Sequence, residues 1–200
     1  MYDDYHGLVF DMDGTLIDSG KLHEIAWSEA LNTYDIPVDR ALMRSLAGVP
    51  TFQTVEILCQ HYDKPFKEEV SEITRIKETF VSENVMDFVQ ATPLIEVVKQ
   101  YHQQKPMAVG TGAHTEEAHA LLKACELFDF FDAIVGADQV NASKPAPDTF
   151  LLCAEKLGVS PEHCVVFEDA ELGIQAAKNA NMAVVNVQTE LNILNDYFSD

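Results

Sequence analysis

The sequence predicts a three-layer α/β fold: a parallel sheet covered by helices on both faces, interrupted once by a helical insert after the first strand. Three observations carry this expectation. Short, nearly unbroken apolar runs rich in Val or Ile recur along the chain, as strands buried on both faces require. Segments with apolar residues at i, i+3, i+4 and i+7 separate the later runs. Between the first run and the second, the chain reads almost wholly as helix.

The first strand is Leu8-Val9-Phe10, which stops at the acidic stretch Asp11-Met12-Asp13-Gly14-Thr15. Three helical stripes follow, formed by Leu22, Ile25, Ala26, Ala30 and Leu31, then Phe52, Val55 and Leu58, then Val70, Ile73 and Phe80. Asp35-Ile36-Pro37 and Asp63-Lys64-Pro65 punctuate them. These stripes place a helical bundle over residues 18–84 and leave 1–17 and 85–200 for the sheet domain. Pro93 opens the next helix, whose apolar face is Leu94, Val97, Val98 and Tyr101. Strands at 107–109, 133–135, 164–167 and 183–185 then alternate with helices. Those helices carry Ala118, Leu121, Leu122 and Cys125, then Phe150, Ala154 and Leu157 ahead of a capping Gly158, then Ala176, Ala177 and Ala180. Gln188 to Asp200 reads as either a short packed helix or a frayed tail.

Composition narrows the function. Thirteen Lys and Arg against 33 Asp and Glu leave a formal charge of −20. Such a surface repels nucleic acid and anionic membranes, so neither is an expected partner. It also repels phosphorylated metabolites, so a phosphate site here must supply its own cation, which points to a metal ion. The N-terminus MYDDYHGLVF lacks the basic and apolar regions of a signal peptide, and no apolar run approaches a membrane span. Cys59, Cys125, Cys153 and Cys164 are scattered without a CxxC pair and read as buried free thiols in a reducing cytoplasm. The oligomeric state is not legible.

The chemistry gathers at the ends of strands, the edge where open α/β sheets bind ligands. LVFDMDGT, AVGTG around Thr111, SKPAPD around Lys144 and VFEDAELGIQAA around Glu168 and Asp169 occur in that order. Together they resemble the four motifs of the haloacid dehalogenase superfamily, most of whose members are phosphatases. The resemblance spans the whole chain. The insert resembles the small cap of the β-phosphoglucomutase-like branch, and PMAVGTG and HCVVFEDAELGIQAA resemble bacterial fructose-1-phosphate and 6-phosphogluconate phosphatases.

The implied fold is a Rossmann-like haloacid dehalogenase core with a small helical cap. The implied activity is Mg²⁺-dependent hydrolysis of a small phosphorylated sugar or sugar acid. Asp11, first off its strand, is the candidate nucleophile, and Asp13 the general acid and base. The hydroxyl of Thr111, amides beside Gly112 and the ammonium of Lys144 suit the transferring phosphoryl oxygens. Mg²⁺ prefers hard oxygen ligands. The resemblance assigns it Asp11, the backbone carbonyl of Asp13, and Asp169, with Glu168 as a direct ligand or behind one. In the cap, His23 resembles a residue that couples cap to acid. Val49-Pro50-Thr51-Phe52 is the expected sugar-selecting segment, with Thr51 bonding a hydroxyl and Phe52 shaping an apolar wall. His114 is either a helix-start residue or a substrate contact. A β-phosphoglucomutase is the alternative enzyme, disfavoured because Thr51 and Phe52 stand where an arginine is expected and no other cation is evident nearby. A catalytically silent binding module is the alternative of another class.

Overall fold

The computed structural model describes residues 1–64 and 69–198, so Pro65, the Lys67-Glu68 pair and the last two residues lie outside the described residues. Among the described residues, the strands are β1 Gly7–Phe10, β2 Ile17–Asp18, β3 Gln90–Ala91, β4 Met107–Gly110, β5 Ala133–Val135, β6 Cys164–Glu168 and β7 Ala183–Asn186. The α-helices among those residues are α1 Gly20–Asn32, α2 Arg40–Ser45, α3 Thr51–His61, α4 Glu69–Phe88, α5 Ile95–Tyr101, α6 Thr115–Ala124, α7 Asp148–Leu157, α8 Glu171–Asn179 and α9 Val187–Leu191. The main sheet has the order β5-β4-β1-β6-β7, with all pairs parallel. All five apolar runs expected to be strands are in it.

Alternation within β1 explains the layers, because successive side chains of a strand face opposite ways. Leu8 and Phe10 join a core on one face with Val98 of α5 and Leu121 and Leu122 of α6. Val9 joins the other, with Phe150 of α7 and Ala176 and Ala177 of α8. Three of the four free cysteines are buried, and Cys125 is half-buried.

The helical insert has a third core of its own, built from Trp27, Leu31, Met43, Val55, Leu58 and Ile73 among others. A two-stranded antiparallel ribbon, β2 with β3, closes its base; this ribbon was not legible in the sequence. The helical pattern expected to end at residue 84 runs on to Phe88 in α4. At about 1.5 Å per residue, this helix is about 30 Å long. Val70 and Ile73 lie in the insert's core, whereas Val81 and Val85 lie in the core of the sheet domain. One helix therefore serves both units. Of the two forms expected for the C-terminal region, the short helix is present only as α9, and the described chain beyond it is irregular but packed, with Phe198 fully buried.

Helix α8 packs against the end of β6 only because residue 173 lacks a side chain: a Cβ on Gly173 would fall 1.8 Å from Glu168 Oε2. Gly173→Ala is expected to destabilise the fold by about 1–3 kcal/mol, as overpacking does. Chemical denaturation measures this, and an unchanged midpoint would show that α8 can retreat.

Candidate active site

Neighbouring strands deliver the chemistry to one edge. Asp11 follows β1, Thr111 follows β4, Glu168 ends β6 and Asp169 follows it, while Lys144 comes from the loop between β5 and α7. The structure brings all five together, and every one of them is buried. Lys144 Nζ lies 2.6 Å from Asp11 Oδ1 and 2.8 Å from Glu168 Oε2. It also stands 4.7 Å from the centre of the Phe150 ring. Burial alone would lower the pKa of this ammonium, but the two carboxylates push it up, so Lys144 is a fixed cation.

One lysine does not neutralise the carboxylates around it. Burial, with Glu168 adding to it, pushes the Asp11 carboxyl up to about 7 in spite of Lys144. Burial and the charge of Asp11 push Asp169 up to about 6. Glu168 is raised as well, first by burial. Carboxylate oxygens of Asp11, Glu168 and Asp169 all lie within 4.8 Å of one another, so they could hold a metal ion. An all-oxygen donor set carrying excess negative charge fits a hard divalent cation such as Mg²⁺. Both oxygens of Glu168 are engaged, as are both of Asp169, which accept from Thr15 and Asn195. Glu168 Oε2 accepts from Lys144, and Glu168 Oε1 accepts from the backbone N–H groups of Asp169 and Ala170.

Asp13 is half-buried and differently placed. Ser19 Oγ donates to its Oδ1 at 2.6 Å, and His23 Nε2 lies 2.9 Å from the same oxygen. Burial would raise its pKa, but the charge and hydrogen bond of His23, with that of Ser19, hold Asp13 below the ordinary carboxylate range. The two aspartates on either side of Met12 thus differ in environment, one pushed up and one held down. Thr111 accepts from the Ala113 N–H at 3.1 Å, which leaves its own hydroxyl proton to be donated elsewhere. The Thr111 N–H donates to the Val135 carbonyl, so the amides on both sides of Gly112, expected to bind phosphoryl oxygens, are already engaged within the protein.

The insert closes over these groups and leaves a cleft of about 650 Å³, counted to its open mouth. Asp11, Asp13, Thr111, Gly112, His23 and Thr51 all line it. Gly112 is tight against the insert, since a Cβ there would lie 2.4 Å from the Gly48 carbonyl oxygen. One expectation needs correction, and the two readings of His114 resolve to the helix start. Phe52 forms no cleft wall and is 43% exposed. Because α3 starts at Thr51, its inward face is Thr51, Thr54, Val55 and Leu58, and Phe52 points away. His114 lines a separate groove between α4 and α6 rather than the catalytic cleft.

The expectation that the insert offers no further cation is also wrong. Lys77 of α4 is 4% exposed, lines the cleft and pairs with Glu117 of α6 at 3.1 Å. Its signal was present in the sequence: Lys77 interrupts the buried stripe Val70, Ile73, Lys77, Val81, Val85. Asn195 and Tyr197 also line the cleft, and Asn195 Nδ2 donates to Asp169 Oδ2 at 2.7 Å.

A parallel sheet presenting an aspartate-rich edge beneath a helical cap defines a class. The profile of the haloacid dehalogenase-like hydrolases matches residues 8–187, and the chain belongs to that family. It is 45% identical to the fructose-1-phosphate phosphatase YqaB of Escherichia coli over 94% of this chain and 99% of that protein. It is 30% identical to the β-phosphoglucomutase of Bacillus subtilis over 90% of this chain and 80% of that one. Among solved structures, that of CbbY from Rhodobacter sphaeroides in complex with phosphate is similar, with a TM-score of 0.79 at 25% identity. The match covers 90% of this chain and 84% of that chain.

The raised Asp11 carboxyl has a consequence for stability. Between its unfolded pKa of about 3.9 and its native value of about 7, the native state binds more protons than the unfolded state, so stability falls as pH rises through that window. Asp11→Asn removes this dependence. With metal absent, the stability of the variant relative to wild type should therefore increase from pH 4 to pH 7, read from thermal midpoints. A constant difference across that range would count against charge repulsion at Asp11.

Proposed function

We propose that this chain is a Mg²⁺-dependent phosphatase of small phosphorylated sugars that works through an aspartyl-phosphate on Asp11. The observation that carries this reading is the Asp11 carboxylate, held 2.6 Å from a buried lysine at the floor of a capped cleft, with a second aspartate beside it. Similarity along nearly the whole chain to a fructose-1-phosphate phosphatase supports the substrate class. Residues 1–17 and 85–200 act as the catalytic core and 18–84 as the cap, with α4 serving both.

In the first half-reaction an Asp11 oxygen attacks phosphorus and the ester P–O bond breaks, while Asp13 gives its proton to the leaving alkoxide. In the second, Asp13 takes a proton from water that adds at phosphorus, which releases inorganic phosphate and regenerates Asp11. The hydroxyl of Thr111 and the ammonium of Lys144 hold the phosphoryl oxygens in both. A divalent cation held by Asp11, Asp169 and the Asp13 carbonyl, with Glu168 behind them, would neutralise charge on those oxygens. His23 and Ser19 orient Asp13 from the insert side. The arrival of an anionic phosphate next to Asp13 favours its protonated form, the one the first step consumes.

Sugar recognition falls to the insert. Lys77 and Glu117 neutralise each other, so together they present donors and acceptors to hydroxyls with little net charge. Thr51 adds one hydroxyl to this wall. The buried lysine also keeps phosphoryl transfer between sugar positions, as in a β-phosphoglucomutase, as the second reading. Incubation with glucose 1-phosphate separates the two. Hydrolysis releases inorganic phosphate, whereas mutase action accumulates glucose 6-phosphate.

Asp11→Asn should abolish phosphate release while the protein stays folded by circular dichroism. Asp13→Asn should lose about 10²–10⁴-fold on a sugar phosphate, whose leaving group needs a proton, and much less on an activated aryl phosphate. Equal losses on both would remove Asp13 from proton transfer. Lys77→Met should lower kcat/KM for the best sugar phosphate by at least about tenfold, the scale of one hydrogen bond to a charged group, and leave the aryl phosphate nearly unaffected. Parallel changes on the two substrates would show that Lys77 is structural.

A further inference from the structure

The family match ends at residue 187, yet the chain beyond it returns to the catalytic cleft. Asn192 adopts a left-handed conformation and turns the chain, and Ile193 packs into the core of the sheet domain. Asn195 then reaches across the catalytic loop. Its Nδ2 donates to Asp169 Oδ2 at 2.7 Å, and its Oδ1 accepts from the Tyr197 N–H at 2.9 Å. Two glycines make the passage possible. A Cβ on Gly14, whose φ is +79°, would lie 2.1 Å from Asn195 Nδ2, and one on Gly20 would lie 2.3 Å from Asp196 Oδ1.

The far end of the segment belongs to the insert. Phe198 is fully buried in the insert's core, its carbonyl accepts from Arg44 of α2 at 2.5 Å, and the Arg40 guanidinium lies 5.6 Å from its ring centre. Between the two anchors, Tyr197 lines the cleft together with Trp27 of α1. A stretch of four residues is thus bonded to a catalytic-edge acid in the sheet domain at one end and buried in the insert at the other. No opening of the insert can occur without straining or releasing one of those anchors.

We propose that residues 195–198 form a strap that holds the insert closed over the cleft, and that Tyr197 on this strap limits the size of the leaving group. The strap's mechanical role stands on packing alone; its effect on selectivity rests on the phosphatase reading. The segment acts where the sugar must lie, since Tyr197 and Trp27 form a wall of the cleft that also contains Thr51 and Lys77.

Phe198→Ala tests the strap through its anchor, because Phe198 does not line the cleft. Hydrogen–deuterium exchange on the free, full-length protein should rise in α2 and in residues 195–198 of the variant, with the sheet unchanged. Selectivity is read as the kcat/KM ratio of a bulky phosphate ester, naphthyl phosphate, to a compact one, fructose 1-phosphate. That ratio should rise by about tenfold or more in Phe198→Ala and in Tyr197→Ala, the scale of a reshaped pocket wall. Phe198→Leu, which keeps an apolar anchor, should retain most of the wild-type behaviour and guards against general misfolding. Unchanged exchange in Phe198→Ala overturns the strap. Increased exchange with an unchanged ratio overturns the role of Tyr197 in selection. Failure of the wild type to release phosphate from any ester would overturn the phosphatase reading instead, while exchange still decides the strap.

Discussion

Lys144 stands between Asp11 and Glu168 with almost no access to water, and the catalytic edge is organised around that contact. Ions taken out of water must be compensated at close range, and losing one partner of such a set leaves an uncompensated charge. The adjacency of β1 and β6 brings Asp11 and Glu168 together, and the loop before α7 brings the lysine to both. Glu168 is further pinned by backbone amides, so it holds Lys144 in place more than it competes for a cation. What remains is a surplus of negative charge on Asp11 and Asp169. That surplus is the local counterpart of the −20 carried by the whole chain, and it makes this edge a place that could hold a cation.

The insert divides the labour with the sheet domain. In the proposed mechanism the residues at the strand ends address phosphate and little else. The groups that descend from above, His23, Thr51 and Lys77, offer hydrogen bonds at positions where a sugar's hydroxyls would lie. Asp13 is at the junction, bonded to Ser19 and His23 on the insert's side while belonging to the same loop as Asp11. Two side chains from the insert's side thus help to hold Asp13 below the ordinary carboxylate range.

Much of this was legible because it is local. Five apolar runs stop at polar loops, and the residues just past them, Asp11, Thr111 and Asp169, reach the same edge whatever the details of the helices. The helical phase was less secure. Phe52 fits an apolar stripe with Val55 and Leu58 on paper, but with the helix starting at Thr51 the buried face includes Thr51 and Thr54 instead. Lys77 was overlooked because a lysine in a charged helix reads as solvated, although its register with Ile73 and Val81 marks it as inward. The helix α4 ran past its expected end because its apolar stripe serves two cores, which one-dimensional periodicity cannot separate. The tail left no periodic signal at all. Asn195, Tyr197 and Phe198 are placed by contacts with residues far away in sequence, and only the aromatic pair in a polar stretch hinted at burial.

The position of β1 also bears on how the molecule is made. It precedes the other four strands of the sheet in sequence and lies in the middle of it, with β4 on one side and β6 on the other. Neither neighbour exists until the whole insert has been translated, so a fully apolar strand must wait with both edges open. Contacts so distant in sequence slow folding and prolong the exposure of sticky edges. The insert has its own core and can consolidate during that wait, with α1 and α4 packing together while the sheet is still incomplete. Asp11 and Asp13 are thus made well before the strands that flank β1, and their edge of the sheet takes shape only after those strands arrive.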